Sequence, residues 1–172
     1  YLNMNFKRIE DFNKTLPVLE LYTAVQSEGS RQGYPTIVVR TTGCTHRCYF
    51  GEGGWCDSWY TSIHPEKGTY CFQDIIDMYD ANPHIKEMML TGGSPTMVPK
   101  LCNELTHFAH ERNIFITIET EGSHYLETDY PINLLVSPTN AERTEKQNYS
   151  IYTTTKSDDK KLVLNVGYNN PV

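Results

Sequence analysis

The chain has 172 residues, of which 38% are hydrophobic and 21% are charged, and its formal net charge is −6. No basic face or stripe is visible, which argues against nucleic acid as a direct ligand, and the apolar runs are too short to cross a membrane. The five cysteines are an odd number with three grouped together. This pattern argues against a secreted disulfide framework and predicts a reducing, cytoplasmic environment.

Along the chain, short apolar runs typical of buried strands alternate with helical stretches. Strands are predicted at 37–40, 88–91, 114–118, 134–136 and 162–164. Helices are predicted at 72–79 and 98–109, where apolar residues recur at helical spacing. The polar stretch 140–156 is predicted to be a long loop or a weak helix.

The alternation of strand and helix predicts an α/β fold with parallel strands and right-handed crossovers. A complete eight-stranded barrel needs roughly 200 residues or more. We therefore expect a partial (open) parallel β/α barrel of about five to six strands with few helices, in one domain over residues 1–172. Sites in such sheets lie at the carboxyl ends of the strands, so the polar motifs that follow the strands are expected to meet there.

Three cysteines, Cys44, Cys48 and Cys56, follow the first predicted strand with the spacing C-x3-C-x7-C. Thiolates are the ligands that a cubane iron–sulfur cluster prefers. Three thiolates hold three irons and leave the fourth iron open to a substrate. The cysteine loop therefore favours a catalytic iron–sulfur cluster.

A structural zinc site is the alternative for this loop. Zinc needs four closed ligands, so His46 or a distant residue would have to join the three cysteines. Cys71 and Cys102 are predicted to pack in the core, as free cysteines usually do. Cys71, which precedes a predicted helix, is the one rival for a ligand position.

Several short motifs together suggest a family. They are Val25-Gln26-Ser27-Glu28-Gly29, Gly33, Pro35, Arg40, Gly43-Cys44, Trp55-Cys56-Asp57-Ser58, Thr91-Gly92-Gly93-Ser94-Pro95, Glu119-Thr120-Glu121-Gly122 and Val136-Ser137-Pro138. In this order and at these intervals, over roughly residues 18–166, the chain resembles the 7-carboxy-7-deazaguanine synthase family of the radical S-adenosylmethionine superfamily.

The chain departs from the pattern of that family in three places. Five extra residues separate the second and third cysteines, in a Gly-rich insertion. Ser94 stands where the family has Glu, and Ser58 stands where it has Thr. The family's last strand and C-terminal substrate residues have no clear counterpart before Val172, so we expect either a compact variant or an incomplete chain.

The resemblance implies a radical lyase reaction. A reduced [4Fe-4S] cluster cleaves S-adenosylmethionine, and 6-carboxy-5,6,7,8-tetrahydropterin contracts to 7-carboxy-7-deazaguanine with loss of ammonia. The product serves queuosine and deazapurine biosynthesis. The resemblance also implies Mg²⁺, a reductant protein such as a flavodoxin, and a homodimer.

Roles for individual residues follow from the same resemblance. The cluster ligands are Cys44, Cys48 and Cys56, and the magnesium ligand is Ser58. The substrate residues are Val25, Gln26, Ser27, Glu28, Arg40 and Thr91, with Glu28 and Arg40 catalytic. The S-adenosylmethionine residues are Gly92, Gly93, Ser94, Thr120, Glu121, Ser137, Pro138 and Thr139.

Less specific interpretations stay open at this point. Arg40, at the end of an apolar strand, suits a substrate carboxylate but also a local ion pair with Glu28 or Asp57. Thr120 and Glu121 suit simple strand-end caps. For the whole chain, the alternatives are a small activase of a glycyl-radical enzyme and an inactive metal-binding module. The replacement of the family's Glu by Ser94 and the short C-terminus leave the second alternative open.

Overall fold

The computed structural model describes residues 8–44, 56, 58–62, 64–122, 124 and 126–136, together with the backbone of 149–153 and 167–168. It contains one seven-stranded sheet whose strands lie side by side in chain order. The strands are β1 (Val18–Val25), β2 (Pro35–Thr41), β3 (Glu87–Gly92), β4 (Phe115–Thr120), β5 (Ile132–Val136), β6 (Tyr149–Thr153) and β7 (Gly167–Tyr168).

The central four strands, β2 to β5, are parallel, which confirms the predicted open α/β sheet. β1 pairs antiparallel with β2, and β6 and β7 continue the sheet antiparallel beyond β5. The sheet is therefore mixed, with β1 at one edge and β7 at the other. The parallel strands make their helical crossovers through α2 (Phe72–Ala81) and α3 (Pro99–Glu111), near the predicted positions, and a short helix, α1 (Trp59–Ser62), follows Cys56.

Two strands differ from the sequence-based expectation. β1 was not predicted, and a register shift between Val18 and Glu20 explains why, because a bulge interrupts the alternation that marks a strand. The expectation of a loop or weak helix over 140–156 was wrong for β6. Tyr149, Ile151 and Thr153 are strong strand formers, and pairing with β5 outweighs the polar character of the segment. The predicted strand at 162–164 lies outside the described residues.

One face of the sheet carries the main hydrophobic core. Val39 on β2, Leu90 on β3 and Ile118 on β4 are fully buried against apolar side chains of the two longer helices, such as Ile75 and Leu105. Each such side chain contributes about 1.5–3 kcal/mol by leaving water. Since side chains alternate along a strand, the intervening residues must point to the other face.

The other face carries a small apolar cluster of Val38, Met89 and Leu135 among polar side chains. We call it the polar face, and its polar members are Arg40, Thr91, Thr117, Glu119 and Asn133. No helix in the described part of the chain combines the length and apolar character of a membrane span; α3, with 13 residues, is the longest helix there.

Candidate functional site

The Gly92-Gly93 turn after β3 is pressed against the chain that leaves β2. A Cβ atom on Gly92 would lie 2.1 Å from the carbonyl oxygen of Thr41, and one on Gly93 would lie 2.3 Å from that of Gly43 and 3.0 Å from Cβ of Cys44. Side chains do not fit at such distances, so glycine is required at both positions. The turn consequently brings its backbone next to the first cysteine.

The two ends of the cysteine loop are tied together. The backbone N–H of Gly43, before the loop, donates to the carbonyl oxygen of Thr61 in α1 over 2.7 Å. Ser62, also in α1, places its hydroxyl 3.8 Å from the sulfur of Cys56. Cys44 and Cys56 are both half-buried thiols, which is the donor chemistry that an iron–sulfur cluster needs. Cys48 lies outside the described residues, and within the described part of the chain no three His, Cys, Asp or Glu side chains form a metal-binding group.

The remaining two cysteines occupy structural positions. Cys71 precedes α2, and its backbone N–H donates to the carboxylate of Asp74 over 2.7 Å, which caps that helix. Cys102 is fully buried in α3, and its thiol donates to the carbonyl oxygen of Pro95 over 3.1 Å. Burial raises the pKa of Cys102 to about 12, so this thiol stays protonated at neutral pH.

A buried pair of polar side chains links the carboxyl ends of β3 and β4. The hydroxyl of Ser94, which is fully buried, donates to Oε2 of Glu121 over 2.5 Å. The carboxylate of Glu121 is only 8% exposed, and the ring of His124 lies 3.4 Å from its other oxygen. The hydroxyl of Thr120 stabilises the bend that follows, because it accepts the backbone N–H of Gly122 over 3.1 Å.

A row of polar side chains crosses the polar face just below the Gly92-Gly93 turn. Arg40 on β2 is in register with Thr91 on β3, whose hydroxyl donates to the carboxylate of Glu119 on β4 over 2.6 Å. The row therefore holds a guanidinium, a hydroxyl and a carboxylate on three adjacent strands.

Arg40 is held by the neighbouring antiparallel strand β1. Its Nε lies 2.6 Å from the carboxylate of Glu20, and its Nη2 donates to the hydroxyl of Tyr22 over 3.3 Å. Burial lowers the pKa of Arg40, but the hydrogen bond that it donates to Tyr22 and the nearby charge of Glu20 outweigh that effect and leave the pKa raised. The arginine is therefore always cationic. The alternative of a local ion pair with Glu28 is wrong as to the partner, which is Glu20, because the register of the hairpin places Glu20 directly opposite. Asp57, the other alternative partner, lies outside the described residues.

The segment that carries Gln26 lies near the amino end of β2, whereas the cysteine loop follows its carboxyl end. Val25 is in register with Pro35 at the start of β2, since β1 runs antiparallel. The expectation that all polar motifs meet at the carboxyl ends of the strands is therefore wrong for Val25, Gln26, Ser27 and Glu28. Gln26 nevertheless reaches the polar face, where its Nε2 lies 3.3 Å from the sulfur of Met89.

Arg31 anchors the β1–β2 loop, residues 26–34, at the amino ends of β3 and β4. It forms a two-pronged ion pair with Glu87 at the start of β3, and the Nε–Oε2 distance is 3.1 Å. Its guanidinium carbon lies 4.0 Å from the ring centre of Tyr34 and 4.2 Å from that of Phe115. Burial between two rings and a carboxylate gives this loop a rigid base.

No protein-family model matches the chain. A 7-carboxy-7-deazaguanine synthase of Halobacterium salinarum is 37% identical over 130 residues, which are 75% of this chain and 48% of that protein. The synthase of Bacillus subtilis is 31% identical over 121 residues, 65% of this chain and 46% of that protein. The synthase of Rhodopirellula baltica is 30% identical over 109 residues, 63% of this chain and 40% of that protein.

The chain belongs to the 7-carboxy-7-deazaguanine synthase family. Its fold is similar to that in the crystal structure of QueE from Escherichia coli, with a TM-score of 0.57 and 22% identity over 76% of this chain and 62% of that one. The chain spans about half the length of the curated relatives it matches. Membership in this radical S-adenosylmethionine family carries the expectation of an iron–sulfur cluster and of S-adenosylmethionine.

The structure brings together some of the site residues that the family resemblance predicts. Gly92, Gly93, Ser94, Thr120 and Glu121 converge with Cys44 and Cys56 at the carboxyl ends of the strands. Ser137, Pro138 and Thr139 lie outside the described residues, directly after β5 in the chain.

Sequence reasoning missed three residues of the polar face or its loop. Glu119 belongs to a motif that was noticed, but it received no role, although the period of the strand places it on the same face as Thr117. Asn133 and Arg31 gave no local signal, because their partners are distant in the chain.

Proposed function

We propose that this chain forms one domain of a 7-carboxy-7-deazaguanine synthase, a carbon–nitrogen lyase that converts 6-carboxy-5,6,7,8-tetrahydropterin to 7-carboxy-7-deazaguanine with loss of ammonia. The observation that carries the proposal is the Gly92-Gly93 turn packed on Cys44, directly above the row of Arg40, Thr91 and Glu119. The turn is the proposed binding element for the cofactor, and the row of polar side chains is the proposed binding surface for the substrate. Their closeness on one sheet suits a reaction between two bound molecules.

Cys44, Cys48 and Cys56 are the proposed ligands of a [4Fe-4S] cluster. When bound and reduced, such a cluster supplies the electron that cleaves S-adenosylmethionine and starts the radical chemistry. The Gly92-Gly93 turn, which packs tightly on the backbone of Thr41 and Gly43 beside Cys44, is proposed to contact the methionine end of the cofactor.

The remaining S-adenosylmethionine contacts are proposed at the ends of β3, β4 and β5. The buried carboxylate of Glu121, held by Ser94, offers a negative charge to the ammonium group of the methionine end. Thr120 holds the bend after β4 in place. Ser137, Pro138 and Thr139 complete the proposed set by family resemblance.

The pterin is proposed to lie on the polar face. The guanidinium of Arg40 suits the carboxylate of the substrate, because a permanent cation with a planar fork binds a carboxylate through two parallel hydrogen bonds. Binding would require Arg40 to share or exchange its present partner Glu20, which is 40% exposed. Thr91 in the same row is proposed to contact the ring edges of the pterin. The same role is proposed for Val25 at the end of β1 and for Gln26, Ser27 and Glu28 of the β1–β2 loop.

Magnesium is proposed to bind at Ser58, with the substrate carboxylate and water as further ligands. Mg²⁺ prefers oxygen donors in octahedral geometry and uses few protein ligands. The carbonyl oxygen of Ser58 accepts hydrogen bonds from the hydroxyls of Thr61 over 2.8 Å and Ser62 over 3.2 Å. These bonds anchor the backbone of Ser58 beside Cys56.

The proposed partners are a reductant protein such as a flavodoxin and a second copy of the chain. β1 is an edge strand of the sheet, and its side chains Tyr22 and Val25 are 38% and 64% exposed. An exposed edge of this kind favours coverage by another protein surface. Analytical ultracentrifugation of the purified protein tests the homodimer.

The test of the proposed function is a direct assay without oxygen. The reconstituted protein receives 6-carboxytetrahydropterin, S-adenosylmethionine, Mg²⁺ and a reductant, and the expected products are 7-carboxy-7-deazaguanine and 5′-deoxyadenosine. Formation of 5′-deoxyadenosine without the deazapurine would reject the synthase assignment and favour a glycyl-radical activase. Absence of both, with a full complement of iron and sulfide, would favour an inactive metal-binding module.

A further inference from the structure

The side chain of Asn133, on β5, is buried with one polar atom left over. It is 2% exposed, and its Nδ2 donates to the hydroxyls of Thr117 over 3.1 Å and Ser30 over 3.3 Å. Among the described residues, its Oδ1 is the one buried side-chain oxygen or nitrogen without a hydrogen-bond partner. Leaving a buried carbonyl oxygen unpaired is unfavourable, so such an atom points to a partner that joins later.

The position of Asn133 connects it with the proposed substrate surface. It is in register with Thr117 on β4, and Met89 on β3 is in register with Thr117 in turn. This row lies two residues below the row of Arg40, a separation of roughly 7 Å along the strands.

The same amide also contacts the loop that carries the other substrate candidates. Ser30 belongs to the β1–β2 loop, and Gln26 of that loop reaches Met89 in the row of Asn133. The amide nitrogen of Asn133 therefore joins β4 to this loop, and the unpaired oxygen belongs to the same amide.

The spacing between Arg40 and Asn133 fits the two ends of one ligand. Three strand-to-strand steps separate β2 from β5, roughly 14 Å, and with the offset of roughly 7 Å along the strands the two backbones lie roughly 16 Å apart. The guanidinium of Arg40 now contacts Glu20 and Tyr22 on β1, so it must turn toward β5 to share a ligand with Asn133. A bicyclic ring with a carboxylate at one end and N–H donors at the other suits this gap.

We propose that Oδ1 of Asn133 accepts a hydrogen bond from an N–H donor on the amino–amide edge of the pterin, an inference that rests on the proposed function. Thr117 and Ser30 orient the amide, because they occupy both hydrogens of Nδ2 and leave the oxygen to the ligand. Asn133 is thus a residue that positions the substrate and determines specificity for a ring edge that donates hydrogen bonds.

Two substitutions at this position test the proposal. Asn133→Asp keeps the shape and an acceptor oxygen, while the hydroxyls of Thr117 and Ser30 reverse and donate to it. Asn133→Leu removes the acceptor. With 6-carboxytetrahydropterin as the probe, Asn133→Leu is expected to raise KM roughly 3- to 10-fold with little change in kcat. The KM of Asn133→Asp is expected to stay close to that of the wild type. Cleavage of S-adenosylmethionine without the pterin should be unchanged in both.

Asn103→Leu is the matched control. Asn103 is also a buried asparagine, but its amide is fully used, with Nδ2 donating to Asp129 over 2.9 Å and Oδ1 accepting the backbone N–H of Asp129 over 2.8 Å. This variant should lower stability without raising KM for the pterin. If both substitutions at Asn133 prevent folding, Thr117→Val replaces them, since it removes one group that orients the amide and should also raise KM.

The outcomes separate this inference from the proposed function. Wild-type protein that neither turns over nor is thermally stabilised by the pterin rejects the function itself. Wild-type turnover together with an unchanged KM in Asn133→Leu overturns the inference alone and assigns the oxygen to a buried water. An equal rise in KM in Asn133→Asp and Asn133→Leu overturns the donor assignment, because an acceptor oxygen at this position would then not be what binds the ligand.

Discussion

Ser94 and Glu121 form a buried hydrogen bond between the ends of two parallel strands, and Ser94 occupies the position where the family has a glutamate. A carboxylate is therefore present at this corner of the site, supplied by Glu121 directly after β4.

If the two residues act as a unit, exchanging them should be tolerated. Ser94→Ala is expected to reduce the free energy of unfolding by about 1.5–3 kcal/mol, because it removes a hydrogen bond to a buried carboxylate. Ser94→Glu alone should destabilise the protein, since two carboxylates would meet, whereas Ser94→Glu with Glu121→Ser should recover stability and binding of S-adenosylmethionine. Urea unfolding of the metal-free protein measures stability, and equilibrium dialysis measures binding of S-adenosylmethionine. Strictly additive effects of the single and double substitutions would contradict the coupling.

Gly93→Ala should prevent assembly of the iron–sulfur cluster. Its Cβ would overlap the carbonyl oxygen of Gly43 and crowd Cβ of Cys44, so the cysteine must move. Gly33→Ala is the control for backbone strain alone, because Gly33 has a positive φ, of 91°, but nothing lies within 4 Å of the Cβ that it would gain. The control should lose about 1–2 kcal/mol of stability and keep its iron. Equal iron content in both variants would show that the turn does not shape the cysteine loop.

The cysteine substitutions should fall into two groups. Alanine at Cys44, Cys48 or Cys56 is expected to abolish cluster binding, since one iron would lose its thiolate. Alanine at Cys71 or Cys102 should leave iron and sulfide content unchanged, because one residue precedes a capped helix and the other is a protonated, buried thiol. Loss of iron in Cys71→Ala with retention in Cys56→Ala would reassign the third ligand.

Ser58→Ala should weaken the response of turnover to Mg²⁺. The hydroxyl is the proposed protein ligand, and its removal leaves water to fill that position. Turnover measured across a magnesium titration gives the answer. An identical titration curve in wild type and Ser58→Ala would limit Ser58 to capping the short helix.

Arg40→Lys should lower activity roughly tenfold to a hundredfold, because a point charge cannot replace a two-pronged guanidinium contact worth about 1.5–3 kcal/mol. Cleavage of S-adenosylmethionine without the pterin should change much less. Arg112→Lys serves as the control, since Arg112 pairs with Asp80 at the end of α3, away from the polar face. If Arg40→Lys affects stability as strongly as activity, its role is the ion pair with Glu20.

Local patterns determined much of this protein. The apolar runs that became β2 to β5, the helical periodicity of α2 and α3, and the motifs around Cys44 and Gly92 are all readable within short windows, because backbone geometry sets their period. The same windows carry the family resemblance. They also placed Gly92, Thr120 and Glu121 at the carboxyl ends of strands, since each motif directly follows an apolar run.

Only the tertiary structure decided which side chains meet. The antiparallel register of β1 pairs Arg40 with Glu20 and places Gln26 near the amino end of β2, away from the cysteine loop. Strand order brings Asn133 to Ser30, 103 positions away in the chain. Such contacts depend on register and strand adjacency, which arise from the packing of the whole sheet, and a shift of one residue would reverse the face of every side chain.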